Sequence, residues 1–330
     1  MRLAINGFGR IGRTAAKIAL KKKDIELVAI NDLTDTKTLA HLFKYDSQYH
    51  TYPKTVTSDT EHLIVDGQKI KVFAEKEPSK LPWDELKIDV VLECTGRFTD
   101  KEGASGHITA GARKVVISAP PKDKVGTFVI GVNEEKAHED EIISNASCTT
   151  NCIAPVMAVI HQHFGIVKAM MTTIHSYTAD QNLQDGPHKD LRRARSAAVN
   201  IVPTTTGAAI STAEVIPDLK GIFDGLSIRV PTQVVSLSDF AILLKKNTTI
   251  EEVNKVIRQA TDHPRYKGII EVTDEPLVSS DFIGNPASTI VDLSLTNVID
   301  GDFLKVVAWY DNEYGYSNRL VEMAQVVDRS

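Results

Sequence analysis

Apolar residues follow two rhythms along this chain. RLAIN (2–6) is a short unbroken apolar run, whereas RIGRTAAKIALKKK (10–23) sets Ile11, Ala15, Ile18 and Ala19 on one face of a 3.6-residue repeat. LVAIND (27–32) is again strand-like and KTLAHLFKYD (37–46) again helical. VVLECTG (90–96), KVVISAP (114–120), TFVIGVN (127–133) and EIISNAS (141–147) continue the series as strands. Several are near-continuous β-branched runs, which suit strands covered on both faces, as in a parallel sheet. The alternation of strand and helix predicts an α/β, doubly wound sheet.

From about residue 148 the rhythm changes. Strand-like stretches lengthen and crowd together: VKAMMTTIHSYT (167–178), DGLSIRVPTQVVSLSDFAILLKK (224–246), ASTIVDLSLTNVID (287–300) and DFLKVVAWYD (302–311). TIEEVNKVIRQATD (249–262) reads as an amphipathic helix capped by Thr249, and YSNRLVEMAQVVD (316–328) as a last helix. This pattern predicts a second, α+β domain with a mixed or antiparallel sheet. Residues 178–203 are polar and carry HKDLRRAR without strand periodicity, so they read as a long loop of the functional or interfacial kind.

Length and composition narrow the class. A chain of 330 residues suggests about two domains. The net charge of −5 argues against a general nucleic-acid or membrane-surface binder. Three cysteines are too few, and odd in number, for a disulfide framework. MRLAINGFGRIGR has no long apolar stretch and no run approaches a membrane span, so a cytoplasmic protein is expected.

NGFGRIG (6–12) fits G-x-G-x-x-G through Gly7, Gly9 and Gly12. It follows a strand, opens a helix, and is answered by Asp32 at the end of the next strand, the context of a Rossmann-type dinucleotide site. Glycines permit a tight turn and close backbone approach, and the helix N-terminus favours a pyrophosphate. Asp32 can accept from a ribose 2′-OH and would repel a 2′-phosphate, which favours NAD over NADP.

SNASCTTNCIAP (144–155) holds Cys148 and Cys152. A disulfide is at its geometric limit across one helical turn, and C-x₃-C with no second pair is not a metal pattern. A buried apolar pair and a nucleophile with a neighbour remain as equal readings. In the second, Cys148 begins a helix whose N-terminus lowers its thiol pKa and can hold an oxyanion, with Cys152 deeper on the same side. A thiolate needs a base. His175, at the end of a strand-like run amid hydroxyl residues, stands out among ten histidines. Arg192, Arg193, Arg195 and Arg229 could bind anions or simply pair with acidic neighbours.

Taken together, INGFGRIGR (5–13), NDLTD (31–35), ECTGRFT (93–99), SNASCTTNC (144–152), HSYTADQ (175–181), PHKDLRRAR (187–195), TTTGAA (204–209), SSDFIG (279–284) and WYDNEYGYSNR (309–319) resemble the phosphorylating, glycolytic glyceraldehyde-3-phosphate dehydrogenase family, nearly end to end. The resemblance implies an NAD-binding domain over 1–147, a catalytic domain over 148–312, and a last helix, 313–330, returning to the first. It implies that Cys148 attacks the aldehyde of glyceraldehyde 3-phosphate, that hydride passes to NAD, and that inorganic phosphate releases 1,3-bisphosphoglycerate from a thioester. His175 would activate the thiol and serve as base.

By matching motifs, the substrate phosphate would lie on Thr178, Asp180 and Arg229. The attacking phosphate would lie on Ser147, Thr149, Thr206, Gly207 and Arg193. NAD would contact Arg10, Ile11, Asp32, Lys76, Thr95, Gly96, Ser118 and Asn312, with Tyr316 packed behind the nicotinamide. The resemblance further implies a homotetramer, with no metal and no nucleic-acid partner in its primary role. Gly186, RVPTQVVSLSD (229–239) and Tyr314 depart from the family pattern. Erythrose-4-phosphate dehydrogenase is the alternative within the same fold.

Overall fold

The apolar runs gather into two large sheets in the computed structural model, which describes residues 1–329. The chain divides into two compact units. One comprises Met1–Phe128, Asn133–Ala146 and the chain from Ser317 on; the other comprises Val129–Val132 and Ser147–Tyr316.

In the first unit a nine-stranded sheet has Arg2–Asn6 near its middle. Glu26–Asn31 and then Gln68–Phe73 lie to one side. Val90–Glu93, Lys114–Ile117, Ile142–Ser144 and Gly126–Thr127 lie to the other, and all of these pairs are parallel. Strand order therefore reverses between Arg2–Asn6 and Val90–Glu93, the place where open α/β sheets bind ligands. His62–Val65 and Val56–Ser58 extend one edge in antiparallel fashion. Leu3, Ile5, Val90, Val91 and Leu92 are fully or almost fully buried, as expected of central parallel strands.

The second unit holds an eight-stranded mixed sheet. Ile166–Ser176 runs parallel to Phe223–Val230 and antiparallel to Ser236–Leu244, which pairs with Phe303–Tyr310. The helix Cys148–Phe164 buries Ile153, Val156, Met157 and Ile160 in the core, together with Phe240, Ile242 and Val306 from the sheet. Pro155 lies inside this helix, and the helix continues through it. A proline there forfeits one ladder hydrogen bond, a loss that the buried apolar face offsets.

Several elements differ from the periodicity; ASTIVDLSLTNVID, for one, breaks into the strands Thr289–Asp292 and Asn297–Ile299. TFVIGVN contributes only Thr127 to a sheet, in the two-residue strand Gly126–Thr127. The carbonyls of Gly131 and Val132 accept instead from the Arg265 guanidinium, at 2.8 and 2.5 Å, so no ladder uses them. The long run 224–246 splits into two strands at a turn where Val235 has φ +70°.

Candidate active site

In the first unit the central strand hands over to the helix Arg10–Ala19 through Gly7, Phe8 and Gly9. Gly7 has φ +90°, and a Cβ there would lie 2.7 Å from the backbone of Cys94 and Thr95. A Cβ on Gly12 would lie 2.1 Å from the Gly7 carbonyl oxygen, so both positions are glycine for lack of space. Gly9 is the reverse case. Nothing lies within 4 Å of where its Cβ would sit, and no side chain caps the helix it begins. The positive end of that helix thus adjoins open space that suits a pyrophosphate.

Asp32 is fixed by two backbone donors, Phe8 N–H at 2.8 Å and Thr34 N–H at 3.0 Å. With Gly7, Gly9, Leu33, Lys76 and Thr95 it lines a cleft of 650 Å³. Gly96, φ +68°, turns the chain just after Thr95. Under this cleft Trp83 Nε1–H donates to His107 Nδ1 at 3.0 Å, so His107 carries its proton on Nε2 and donates to Glu93 at 3.1 Å. Glu93 also accepts the Asn6 amide at 2.6 Å and Thr95 N–H at 2.7 Å. A buried carboxylate thus ties the two strands together where their order reverses. Of the other expected cofactor contacts, Arg10 is paired with Asp46 at 2.8 Å, and Ile11 follows it in the first turn of the helix. Ser118 hydrogen-bonds the Cys94 thiol, and Tyr316 is buried in the helix Tyr314–Val327.

In the second unit Cys148 is the first residue of its helix. Ser147 is the N-cap, its Oγ accepting Thr150 N–H at 3.0 Å, a contact of about 1 kcal/mol. Cys148 Sγ lies 3.5 Å from His175 Nε2. His175 Nδ1 is 2.6 Å from the Ser176 carbonyl oxygen, which can only accept. Nδ1 therefore bears the ring proton, and the Nε2 lone pair faces the thiol. His175 is 4% exposed, and burial together with the nearby Arg229 guanidinium pushes its pKa down to about 3, so the ring rests neutral. The Tyr310 ring meets it edge-on at 6.0 Å.

The sequence expectation of a lowered Cys148 pKa is corrected here. Burial raises it by more than Arg229 and the Thr149 side chain and N–H lower it, so the resting pair is thiol and neutral imidazole. Cys152 is wholly buried, its Sγ 3.5 Å from Thr289 Oγ1, and burial pushes its thiol up to about 12. All three cysteines are free.

Around this pair lies a basic cluster. Arg229 Nη1 donates to Thr178 Oγ1 at 2.8 Å and to the Ser176 carbonyl at 3.2 Å, while its buried Nε has no partner. Arg193 bonds Asp180 at 2.5 Å, Thr204 Oγ1 at 3.0 Å and the Thr205 carbonyl at 3.2 Å. Thr178 also bonds Asp180. The structure thus joins Thr178, Asp180, Arg193 and Arg229 in one network. Thr206 accepts Ala208 N–H at 3.2 Å, and Gly207 caps the helix Ala208–Val215 with nothing within 4 Å of its Cβ position. No hydrogen bond among the described residues joins either of them to Ser147 or Thr149. Thr149 is 4% exposed and shares its hydroxyl with Tyr310 at 3.0 Å. Asn312 is buried, and its Oδ1 accepts from Ser236 Oγ at 3.1 Å.

Residues 1–101 match the family model of the glyceraldehyde 3-phosphate dehydrogenase NAD binding domain, and residues 147–312 that of the C-terminal domain of the same family. The chain belongs to the glyceraldehyde-3-phosphate dehydrogenase family. It is 58% identical to the glyceraldehyde-3-phosphate dehydrogenase of Thermotoga maritima, over 99% of this chain and 98% of that one. It is 53% identical to that of Zymomonas mobilis, over 98% of this chain and 97% of the relative. That of Geobacillus stearothermophilus is 52% identical over 99% and 98%. These names do not favour the erythrose-4-phosphate alternative.

Within this family member, sequence reasoning missed several residues that shape the site. Tyr310 bonds Thr149 and Thr173, the latter at 2.9 Å, yet it reads as the end of an apolar strand. Ser176 orients His175 through a backbone carbonyl, which leaves no sequence signal. Glu93 did carry a signal: it is the acidic residue inside the apolar run VVLECTG, and a carboxylate there must be paired.

Proposed function

We propose that this chain oxidises glyceraldehyde 3-phosphate to 1,3-bisphosphoglycerate, with NAD as hydride acceptor and inorganic phosphate as second substrate. The observation that carries this reading is the Cys148–His175 pair at a helix N-terminus, with a guanidinium beside it that retains an unpaired N–H. His175 Nε2 takes the thiol proton as Cys148 Sγ adds to the aldehyde carbon, and returns it to the carbonyl oxygen, giving a thiohemiacetal. Bound NAD supplies the acceptor for the hydride. As hydride departs, His175 takes the hydroxyl proton and Cys148 is left acylated as a thioester. Phosphate then adds to the thioester carbonyl, and the Cys148 thiolate leaves.

The open helix terminus at Gly9, the Asp32 carboxylate and the cleft they share support NAD in the first unit. Arg10, Ile11, Gly12, Lys76, Thr95, Gly96 and Ser118 would complete its cradle, and the nicotinamide roles of Asn312 and Tyr316 stand on the motif match. Thr178, Arg193 and Arg229 are the anion ligands best supported by geometry, with the Asp180 carboxylate holding Arg193 and Thr178 in place, and Ser147, Thr149, Thr206 and Gly207 stand on the motif match. A cytoplasmic homotetramer is part of the same reading. No helix among the described residues is long and apolar enough to cross a membrane. Leu183, Leu191, Val199 and Ile201 are each more than 70% exposed, as unpaired interface side chains would be.

The test follows NADH absorbance with glyceraldehyde 3-phosphate and NAD, with phosphate present or omitted. Steady turnover with phosphate, and a single burst of one NADH per site without it, are expected. Cys148→Ser should lower kcat by about 10³-fold or more and abolish the burst while NAD still binds. No absorbance change with the wild-type chain would overturn the reading, and faster turnover of erythrose 4-phosphate would move the substrate.

A further inference from the structure

Glu93 is 1% exposed, and each of its hydrogen-bond partners is a donor. Thr95 N–H reaches it at 2.7 Å, Asn6 Nδ2 at 2.6 Å and His107 Nε2 at 3.1 Å, and the Thr95 hydroxyl bonds it as well. None of these partners is a cation. Burying a carboxyl group without one is costly, and an apolar residue would fill the same space without that cost. The group must therefore do something that an apolar residue would not, and what it does here is accept from every side.

The consequence runs outward along the ends of the strands. Because Glu93 only accepts, Asn6 must turn its NH₂ toward it and its amide oxygen away. That oxygen accepts Asn31 Nδ2 at 2.7 Å. Asn31 gives its second N–H to the Glu75 carbonyl at 2.8 Å, and its own oxygen accepts Glu75 N–H, also at 2.8 Å. A backbone N–H only donates and a carbonyl only accepts, so the far end requires the same orientation of both amides. On the near side, Thr95 Oγ1 accepts Arg97 N–H at 3.1 Å across the Gly96 turn. The relay crosses the ends of four adjacent strands, and every member lies within Met1–Phe128 of the first unit. Asn6, Asn31, Glu75, Lys76 and Thr95 all line the 650 Å³ cleft.

We propose that Glu93 is a positioning residue of the cofactor cleft: the fixed polarity from Glu93 through Asn6 and Asn31 to Glu75 holds the cleft in its binding shape before NAD enters, so that binding need not order it. This rests on the reading of the cleft as the NAD site. The test is calorimetric titration of the full-length chain with ADP-ribose, well below the melting temperature, with Tm measured alongside. Glu93→Gln keeps the shape but brings an NH₂ among donors, and it should weaken ADP-ribose by about 10-fold. Asn31→Asp sets two acceptors against each other at Asn6 and should cost about the same. The double variant moves the acceptor two places along the relay. Asn6 can then flip, giving its oxygen to Gln at 93 and to His107, whose Nε2 lies 3.3 Å from its amide nitrogen, and its NH₂ to Asp at 31. The double variant should therefore lose no more than about 10-fold, against about 100-fold if the two losses multiplied. Should Glu93→Gln fail to fold, the double variant is expected to fold and bind. Multiplied losses, a double variant that stays unfolded, or a lowered Tm with unchanged affinity would each overturn the role of Glu93. A wild-type chain that binds neither ADP-ribose nor NAD would instead overturn the reading of the cleft as the NAD site.

Discussion

His175 shows how far one side chain can be read from its neighbours in sequence and how far it cannot. Its place at the end of a strand-like run marks it as a candidate base. Its charge state is set by burial and by Arg229, which push its pKa down to about 3. In the unfolded chain the same ring titrates near 6.5. Between those values the unfolded state binds a proton that the folded state does not, so stability is complete above about pH 6.5 and falls as pH drops toward 3. Wild-type Tm should accordingly decline from about pH 7 to about pH 5. His175→Asn should show a shallower decline over that interval, and an equally steep one would mean that another group drives the pH dependence. Cys148 teaches the same lesson. The sequence places it at a helix N-terminus, but only the packed site reveals that burial outweighs that terminus.

At the scale of elements, the turn between the first strand and the helix Arg10–Ala19 is the most tightly constrained feature. Gly12→Ala would drive a methyl group to 2.1 Å from the Gly7 carbonyl, a contact that no rotamer can relieve. The helix must then shift, and both stability and NAD binding should fall. We expect a loss of about 1–3 kcal/mol in urea unfolding, as for other overpacked sites. Calorimetry should show NAD affinity lowered by at least about 10-fold. Retained affinity would mean that this helix end does not hold the pyrophosphate. The G-x-G-x-x-G spacing made this turn legible. The helix beginning at Cys148 was legible as well, because apolar periodicity and the preceding serine coincide. TFVIGVN was misread because its backbone acceptors are taken by Arg265, far along the chain. The three strands between residues 56 and 73 carry mixed, polar sequences and went unassigned.

For the whole molecule, the exposed leucine, valine and isoleucine side chains of the 178–203 loop are the feature that a single chain leaves unexplained. A homotetramer would cover them. Sedimentation equilibrium should give about four times the mass of one chain. Leu191→Asp, at a position 81% exposed, should shift the population toward smaller species. A monomer at micromolar concentration would overturn the tetramer and return the loop to a surface role.

The sequence by itself determined the class of the sheet in each half, the glycine turn after the first strand, the helix that begins at Cys148 and the family, because these depend on local spacing and on residue types with little freedom. The tertiary structure alone decided the tautomer of His175, the approach of Cys148 to His175, the pairing of Arg193 with Asp180, and the hydrogen bond from Ser236 to Asn312. Apart from the His175 tautomer, which the carbonyl of the adjacent Ser176 sets, each of those depends on distances of 2.5 to 3.5 Å between groups 13 or more residues apart. Hydrogen-bond polarity and desolvation act only once such groups are brought together and water is excluded.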